Sequence, residues 1–170
     1  SSGSGGGVAA GLCAGALGTD TGGSVRIPAS LCGIVGLKPT YGRVSRAGVV
    51  PLAWSLDHVG PMTRTVADAA ILLQVLAGQD PADPSTAAVP VPDYRSGMAG
   101  DIRGLRVGIV RELFFERLDP DVRAAVEAAA RALEGLGARL EEVRLPRIHH
   151  ATPAVFAIIS AESMAYHEPY

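Results

Sequence analysis

Residues 18–28 of the chain read Gly18-Thr19-Asp20-Thr21-Gly22-Gly23-Ser24-Val25-Arg26-Ile27-Pro28. In this stretch the hydroxyl of Ser24 follows two glycines, which let a ligand approach the main chain closely and let successive N–H groups point at one oxygen. An oxyanion hole beside a nucleophile is built in this way. A glycine-rich turn whose serine caps the next element explains the same residues equally well. The choice between the two depends on the rest of the chain.

The composition is typical of a globular domain with an aliphatic core. Of the 170 residues, 48% are hydrophobic and only 5% are aromatic, so the core should consist of Ala, Val, Leu and Ile. A net charge of −2 gives no general attraction to nucleic acid or to an anionic membrane, and we expect neither as a partner. The longest apolar run, residues 8–17, is too short to span a bilayer.

The two cysteines, Cys13 and Cys32, have neither CxxC nor metal-ligand spacing. Because they lie among small apolar residues, we expect buried free thiols in a reducing compartment, which indicates a cytoplasmic protein. A disulfide between the two is the alternative. No pattern indicates a metal or an organic cofactor. The degenerate dinucleotide fingerprint Gly5-x-Gly7-x-x-Ala10 is a weak signal, because no strand precedes it.

The first half of the chain is predicted to alternate loops with short elements. They are a functional loop over 1–7, a closely packed helix over 8–17, a short buried strand or turn over 31–37, an irregular binding loop or wall over 43–63, and a helix over 66–77. The last helix begins at a capping box, Thr65 with Asp68, and ends at Gly78. The irregular loop contains the adjacent pair Asp57-His58.

The second half of the chain is predicted to contain a β-α-β unit over 104–145. Its parts are a strand over 105–110, a helix with Asp119 as N-cap and Pro120 at its first position, and a strand over 139–145. A surface excursion over 79–100 precedes this unit. A last helix, capped by Thr152 with Pro153 at its start, is expected to continue up to Tyr170. Such β-α-β units belong to parallel or mixed sheets covered by helices.

Four histidines and one lysine are the candidates for a base that would activate Ser24. His58 follows Asp57, but we favour a surface or turn role for this pair. A neutral Lys38 could accept the proton of the serine, yet we favour a role in which its amine bonds carbonyls at the turn that contains Pro39. The other histidines have no suggestive context; they are His149, His150 and His167. These residues do not complete a catalytic site, which indicates that the base for Ser24 is missing from this chain.

Three ordered blocks of the sequence resemble the amidase signature family: 18–29, 32–45 and 55–65. The resemblance implies an α/β fold with a mixed β-sheet core covered by α-helices. It also implies that 1–170 is part of a single amidase signature domain, truncated at both ends. Members hydrolyse or transfer amides with a Ser-Ser-Lys triad, so the resemblance implies a small-molecule amide substrate and no cofactor. Formation of a homo-oligomer is compatible with this interpretation.

The resemblance assigns roles to residues within 18–28, here called the central stretch. It makes Ser24 the nucleophile and assigns the oxyanion hole to four backbone N–H groups, those of Thr21, Gly22, Gly23 and Ser24. The bridging serine and the lysine base of the family fall upstream of this chain, and Ser1 aligns with the neighbour of the bridging serine. Residues 1–170 alone are therefore expected to be inactive. We expect Asp20 and Arg26 to stabilise the loop that contains Ser24 rather than to transfer protons.

The residue before Pro28 distinguishes classes within the family. Transamidase subunits that act on misacylated tRNA carry a glutamine there, whereas this chain has Ile27, which is similar to stand-alone amidases. The main prediction is therefore an amidase. The alternatives are the A subunit of a glutamine-dependent aminoacyl-tRNA amidotransferase and, from another class, a non-catalytic binding or scaffold domain that keeps the fold.

Overall fold

Three antiparallel strands form the sheet that carries the central stretch. The computed structural model describes residues 1–170 except for the side chain of Ala99, and it places β1 at Gly15–Asp20, β2 at Val35–Gly36 and β3 at His58–Thr63. Strand β3 lies between the other two, with Asp20 opposite His58. Because β1 and β3 are antiparallel, the loop after Asp20 and the loop before His58 meet at one end of the sheet.

Three helices accompany this sheet: α1 (Ser2–Ala9), α2 (Arg26–Cys32) and α3 (Val66–Leu76). Helix α3 begins at the predicted capping box, since the Thr65 hydroxyl accepts a hydrogen bond from Asp68 N at 3.1 Å. Two clusters of buried side chains hold the elements together. One contains Val25, Ala29 and Met62, and the other contains Val44, Val59 and Leu73.

The predicted β-α-β unit is confirmed. Strand β4 (Arg106–Ile109) pairs in parallel with β5 (Arg139–Glu142), and helix α4 (Pro120–Gly135) connects them. The carboxylate of Asp119 caps α4 by accepting a hydrogen bond from Asp121 N at 2.9 Å. A parallel pair requires a crossover of this kind, and a helix is its usual form.

The chain divides into two compact units, residues 1–99 with 155–170, and residues 100–154. A final helix, α5, covers Ala151–His167, and short 3₁₀ turns lie at Ser96–Ala99 and Ile148–His150. The α/β class is confirmed, with the antiparallel pairs and the parallel pair in separate sheets. Within the described part of the chain, no helix combines the length and apolarity that crossing a membrane requires.

The predictions for residues 1–17 are wrong. The segment 1–7 is not a loop but most of α1, and residues 8–17 include the end of that helix and the start of β1. Glycine disfavours helix on its own, but at Gly5 the helix approaches its neighbours so closely that a Cβ would lie 3.1 Å from the Met62 Cε atom. At Gly5, close packing therefore favours a residue without a side chain inside the helix.

Two further predictions are wrong, that of an irregular segment over 43–63 and that of Thr152 as a helix cap. The segment 43–63 is not irregular throughout, because its last six residues form β3. The sequence does not predict this strand, because Gly60 and Pro61 are typical of turns. Glycine is required at position 60, because a Cβ there would lie only 2.1 Å from the Leu37 carbonyl oxygen. Thr152 does not cap α5, since the helix already begins at Ala151 after a 3₁₀ turn.

The environment predicted for the cysteines is also wrong. Cys13 and Cys32 are free thiols, but both are exposed rather than buried. Cys13 lies in the short connection between α1 and β1, and Cys32 is the last residue of α2. The small apolar residues around each cysteine in the sequence do not predict burial here, because one cysteine lies in a connection and the other at the end of a helix, not on a packed face.

Candidate active site

Residues 21–24 lie in the loop that connects β1 to α2 and are here called the nucleophile loop. Ser24 is exposed and lies between buried Gly23 and buried Val25. Gly23 has a φ of 137°, a conformation that side chains rarely adopt, and a Cβ there would lie 2.7 Å from Ile27 Cδ1. The loop therefore presents the Ser24 hydroxyl next to a backbone position that only glycine fits.

The backbone N–H groups of the nucleophile loop have no partner within the described part of the chain. No acceptor there is bonded to the N–H of Thr21, Gly22, Gly23 or Ser24. Gly22 and Ser24 are exposed, Thr21 is half-buried and Gly23 is buried. A backbone donor without a protein partner can receive an oxygen from a ligand, and a buried donor is costly to leave unpaired. The four N–H groups named from the family resemblance therefore lie in one loop and have no partner among the described residues.

Asp20 and Arg26 bracket the nucleophile loop. The carboxylate of Asp20 is fully buried and accepts hydrogen bonds from Val25 N at 3.2 Å, Arg26 Nε at 2.9 Å and Arg26 Nη2 at 2.9 Å. Burial by itself raises the pKa of Asp20, but the hydrogen bonds and charge of Arg26, with the backbone N–H groups, hold that pKa below its ordinary value. The structure thus brings together the two residues predicted to support the loop.

Ser1 lies against β1. Its hydroxyl donates to the Thr19 carbonyl oxygen and accepts from Thr19 N, both at 3.0 Å. A Cβ at Gly18 would lie 2.6 Å from this hydroxyl oxygen, so α1 begins in direct contact with the strand that leads into the nucleophile loop. Among the hydrogen bonds of the described residues, none joins Ser1 to Ser24.

Asp57 directly follows the turn at residues 54–56 and is buried rather than on the surface, with 5% of its area exposed. Its Oδ1 atom accepts a hydrogen bond from the Thr21 hydroxyl at 2.5 Å. Its Oδ2 atom accepts from Leu52 N at 2.8 Å and from Ala53 N at 3.1 Å. The sequence did not reveal this link, which depends on the pairing of β1 with β3.

The two candidate bases within the chain are held in other contacts. Lys38 Nζ donates to the Pro39 carbonyl oxygen at 2.7 Å, which is the turn contact predicted from the sequence. His58 Nδ1 lies 2.6 Å from the Leu56 carbonyl oxygen, and its ring meets that of Tyr41 edge-on at 5.5 Å. Neither side chain has a contact with Ser24 among those described.

Helix α5 contributes contacts that sequence reasoning missed. A Cβ at Gly22 would lie 3.8 Å from Val155 Cγ1 and 3.7 Å from Ile159 Cδ1. On the same face of the helix, the carboxylate of Glu162 accepts hydrogen bonds from Ser55 N at 2.9 Å and from the Ser55 hydroxyl. The spacing i, i+4, i+7 was the available signal for this face, which lies beside the nucleophile loop.

Potential metal ligands are scattered rather than grouped in the part of the chain that the structure describes. Within it, no three side chains of His, Cys, Asp or Glu lie together in a way that could hold a metal ion. The groups that the chain itself places at the nucleophile loop are a hydroxyl, carboxylates and backbone donors.

Known proteins are similar to this chain over most of its length. Residues 1–170 match the family model described as Amidase. The A subunit of glutamyl-tRNA(Gln) amidotransferase from Roseiflexus castenholzii is 54% identical over 165 residues, which are 97% of this chain and 34% of that protein. A Pseudomonas putida protein named Amidase is 55% identical over 153 residues, which are 89% of this chain and 33% of that protein.

A solved structure shares the fold as well. The A subunit of glutamyl-tRNA(Gln) amidotransferase from Thermotoga maritima matches with a TM-score of 0.92 and 44% identity, over 96% of this chain and 36% of that one. The chain spans about a third of the length of the curated relatives it matches. The family match over all 170 residues, together with these identities, shows that the chain belongs to the amidase signature family.

Proposed function

We propose that the intact enzyme hydrolyses a carboxylic amide through an acyl-enzyme intermediate on Ser24. The observation that carries this proposal is the nucleophile loop, in which an exposed hydroxyl lies beside four backbone N–H groups without partners in the described part of the chain. Asp20 and Arg26 would keep this loop in place. The named amidase of Pseudomonas putida, similar over 89% of this chain, supports the same activity.

The proposed mechanism has two stages, acylation of Ser24 and hydrolysis of the resulting ester. The Ser24 oxygen attacks the amide carbonyl carbon, and the hydroxyl proton passes through a bridging serine to a neutral lysine, two roles that the family resemblance assigns to residues outside 1–170. The N–H groups of the nucleophile loop bind the negative oxygen of the tetrahedral intermediate. The C–N bond then breaks, and the amine leaves with the relayed proton. Water attacks the ester on Ser24 and releases the acid, restoring the hydroxyl.

The substitution Ser24→Ala in the intact enzyme tests this proposal. It should lower amide hydrolysis by about a thousandfold or more, because removal of the nucleophile leaves only the residual effect of the oxyanion site and binding. Ser30→Ala is the matched control, since Ser30 is exposed on α2 and should keep wild-type activity. Retention of most of the activity by the Ser24 variant would contradict the assignment.

A second candidate function is that of an amidotransferase component. Similarity to the A subunits of the Roseiflexus castenholzii and Thermotoga maritima amidotransferases favours it. Ile27 argues against it, because the resemblance gives transamidase subunits a glutamine at that position. Glutamine-dependent amidation of misacylated tRNA in the presence of partner subunits would support this candidate over the stand-alone amidase.

We further infer that the protein acts in the cytoplasm on a small-molecule amide, without direct nucleic-acid contact, and that 1–170 belongs to a single amidase domain. A net charge of −2 supports the absence of nucleic-acid contact. Family membership over all 170 residues supports the single domain. Residues 1–170 alone should not turn over substrate, since the family resemblance places the bridging serine and the lysine outside them.

A further inference from the structure

Two buried carboxylates fix the nucleophile loop at its two ends. Asp20 accepts hydrogen bonds from Val25 N and Arg26, just beyond Ser24. Asp57 accepts a hydrogen bond from the hydroxyl of Thr21, the first residue of the loop, at 2.5 Å. The unpartnered N–H groups belong to the residues between these two sets of hydrogen bonds. Both carboxylates therefore influence the direction in which those N–H groups point.

Asp57 is itself held rigidly. Its second carboxylate oxygen accepts from Leu52 N and Ala53 N, and its own N–H donates to the Ala53 carbonyl oxygen at 2.8 Å. The Asp57 carbonyl oxygen accepts from Arg46 Nη1 at 3.3 Å. A carboxylate with this many partners has one position, so the hydroxyl it holds has one position as well.

Arg46 anchors the turn around Asp57 to a second loop. Its Nη2 atom donates to the Tyr41 hydroxyl at 2.9 Å and to the Ser85 hydroxyl at 2.7 Å. Arg46 N donates to Asp83 Oδ2 at 2.7 Å. The network places the carboxylate of Asp57 at the sheet end where β1 and β3 are paired, immediately beside Thr21.

We propose that Asp57 is a positioning residue for catalysis, which acts through the Thr21 hydroxyl to aim the first N–H of the nucleophile loop at the substrate oxygen. This inference rests on the proposed function of Ser24. Asp57 does not contact the reacting atoms; it fixes the backbone that does. An N–H group aimed at the developing oxyanion binds the transition state more strongly than the substrate, so its misplacement lowers kcat more than it changes KM.

A merely structural role for Asp57 predicts a different pattern. In that case its bonds to Leu52 N and Ala53 N would matter, and the bond to Thr21 would not. Thr21→Val removes only the Thr21 hydroxyl and leaves the turn bonds of Asp57 intact, whereas Thr21→Ser keeps a hydroxyl at the same place. The comparison of these two variants therefore separates positioning of the loop from support of the turn.

The test measures kcat and KM for amide hydrolysis by the intact enzyme and its Thr21→Val, Thr21→Ser, Asp57→Asn and Thr21→Val/Asp57→Asn variants. We expect Thr21→Val to lower kcat between about tenfold and a hundredfold, with KM within about twofold of wild type. Thr21→Ser should stay near wild type. The double variant should be no slower than Asp57→Asn alone, because both changes act on the same hydrogen bond, the one between Thr21 and Asp57. Thr40→Val, at an exposed threonine, is the control.

The outcomes separate this proposal from the proposed function. Wild-type kcat in Thr21→Val, or equal losses in the Val and Ser variants, would overturn the role of Asp57 while Ser24 remained the nucleophile. Failure of Ser24→Ala to reduce hydrolysis would instead overturn the proposed function. If Asp57→Asn does not fold, as thermal unfolding would reveal, the two Thr21 variants still decide the question.

Discussion

At the scale of single residues, the state of the buried Asp20 carboxylate matters most for the nucleophile loop. Its charge is balanced by Arg26, whose side chain is 52% exposed, at a separation of 2.9 Å. The remaining hydrogen bonds come from the backbone on the far side of Ser24. Protonation of Asp20 would weaken all of these bonds together, so the loop should be sensitive to acid.

We predict that Asp20 makes the free energy of unfolding depend on pH below about 4. Its pKa is lowered in the folded chain, so its contribution is present above the unfolded pKa and is lost as the pH falls through the folded value. Denaturant unfolding between pH 7 and pH 3 measures this loss. The Asp20→Asn variant should be less stable at pH 7 and should lose less stability on acidification.

Glu168→Gln is the control for that experiment, since Glu168 is exposed near the end of the chain. It should follow the wild-type curve closely. Equal acid sensitivity of wild type and Asp20→Asn would show that the Asp20 carboxylate does not stabilise the folded chain through its charge.

At the scale of elements, the face of α5 that includes Val155, Ile159 and Glu162 lies against two loops. Val155 and Ile159 lie near Gly22, and Glu162 bonds Ser55 in the segment before β3. Hydrogen bonds to a carboxylate are stronger than neutral ones, so Glu162 should hold α5 in register on these loops.

We predict that Glu162→Ala loosens this part of α5 without unfolding the chain. Amide hydrogen exchange in the intact enzyme should become faster over 155–167 and over the segment that contains Ser55, because the Ser55 bonds are lost. Glu168→Ala, which removes a carboxylate beyond the helix, should leave exchange unchanged. Unaltered exchange in Glu162→Ala would show that apolar packing alone holds the helix.

Elements with local signals could be predicted from the sequence. Helices α3 and α4 follow from capping at Thr65 and Asp119, which depends on residues adjacent in the chain. Helix α1 and strand β3 could not, because their glycines and Pro61 read as turn formers until packing is known. At Gly60 it is the Leu37 carbonyl oxygen, from a distant segment, that requires a residue without a side chain.

At the scale of the whole molecule, the candidate site lies within one compact unit, residues 1–99 with 155–170. The pairing of Asp20 with Arg26 around residues 21–24 could be predicted, because the two residues are near neighbours in one short motif. The link from Thr21 to Asp57 joins residues 36 apart and depends on the register that pairs Asp20 with His58. No local pattern contains that register.

Labelling of the intact enzyme with a fluorophosphonate probe tests whether Ser24 is an acylated nucleophile. Mass spectrometry of the digested protein should find one probe on the peptide that contains Ser24, and Ser24→Ala should abolish this adduct while Ser30→Ala keeps it. An adduct at another residue, or no adduct on folded wild-type protein, would contradict this role of Ser24 and favour a binding or scaffold role.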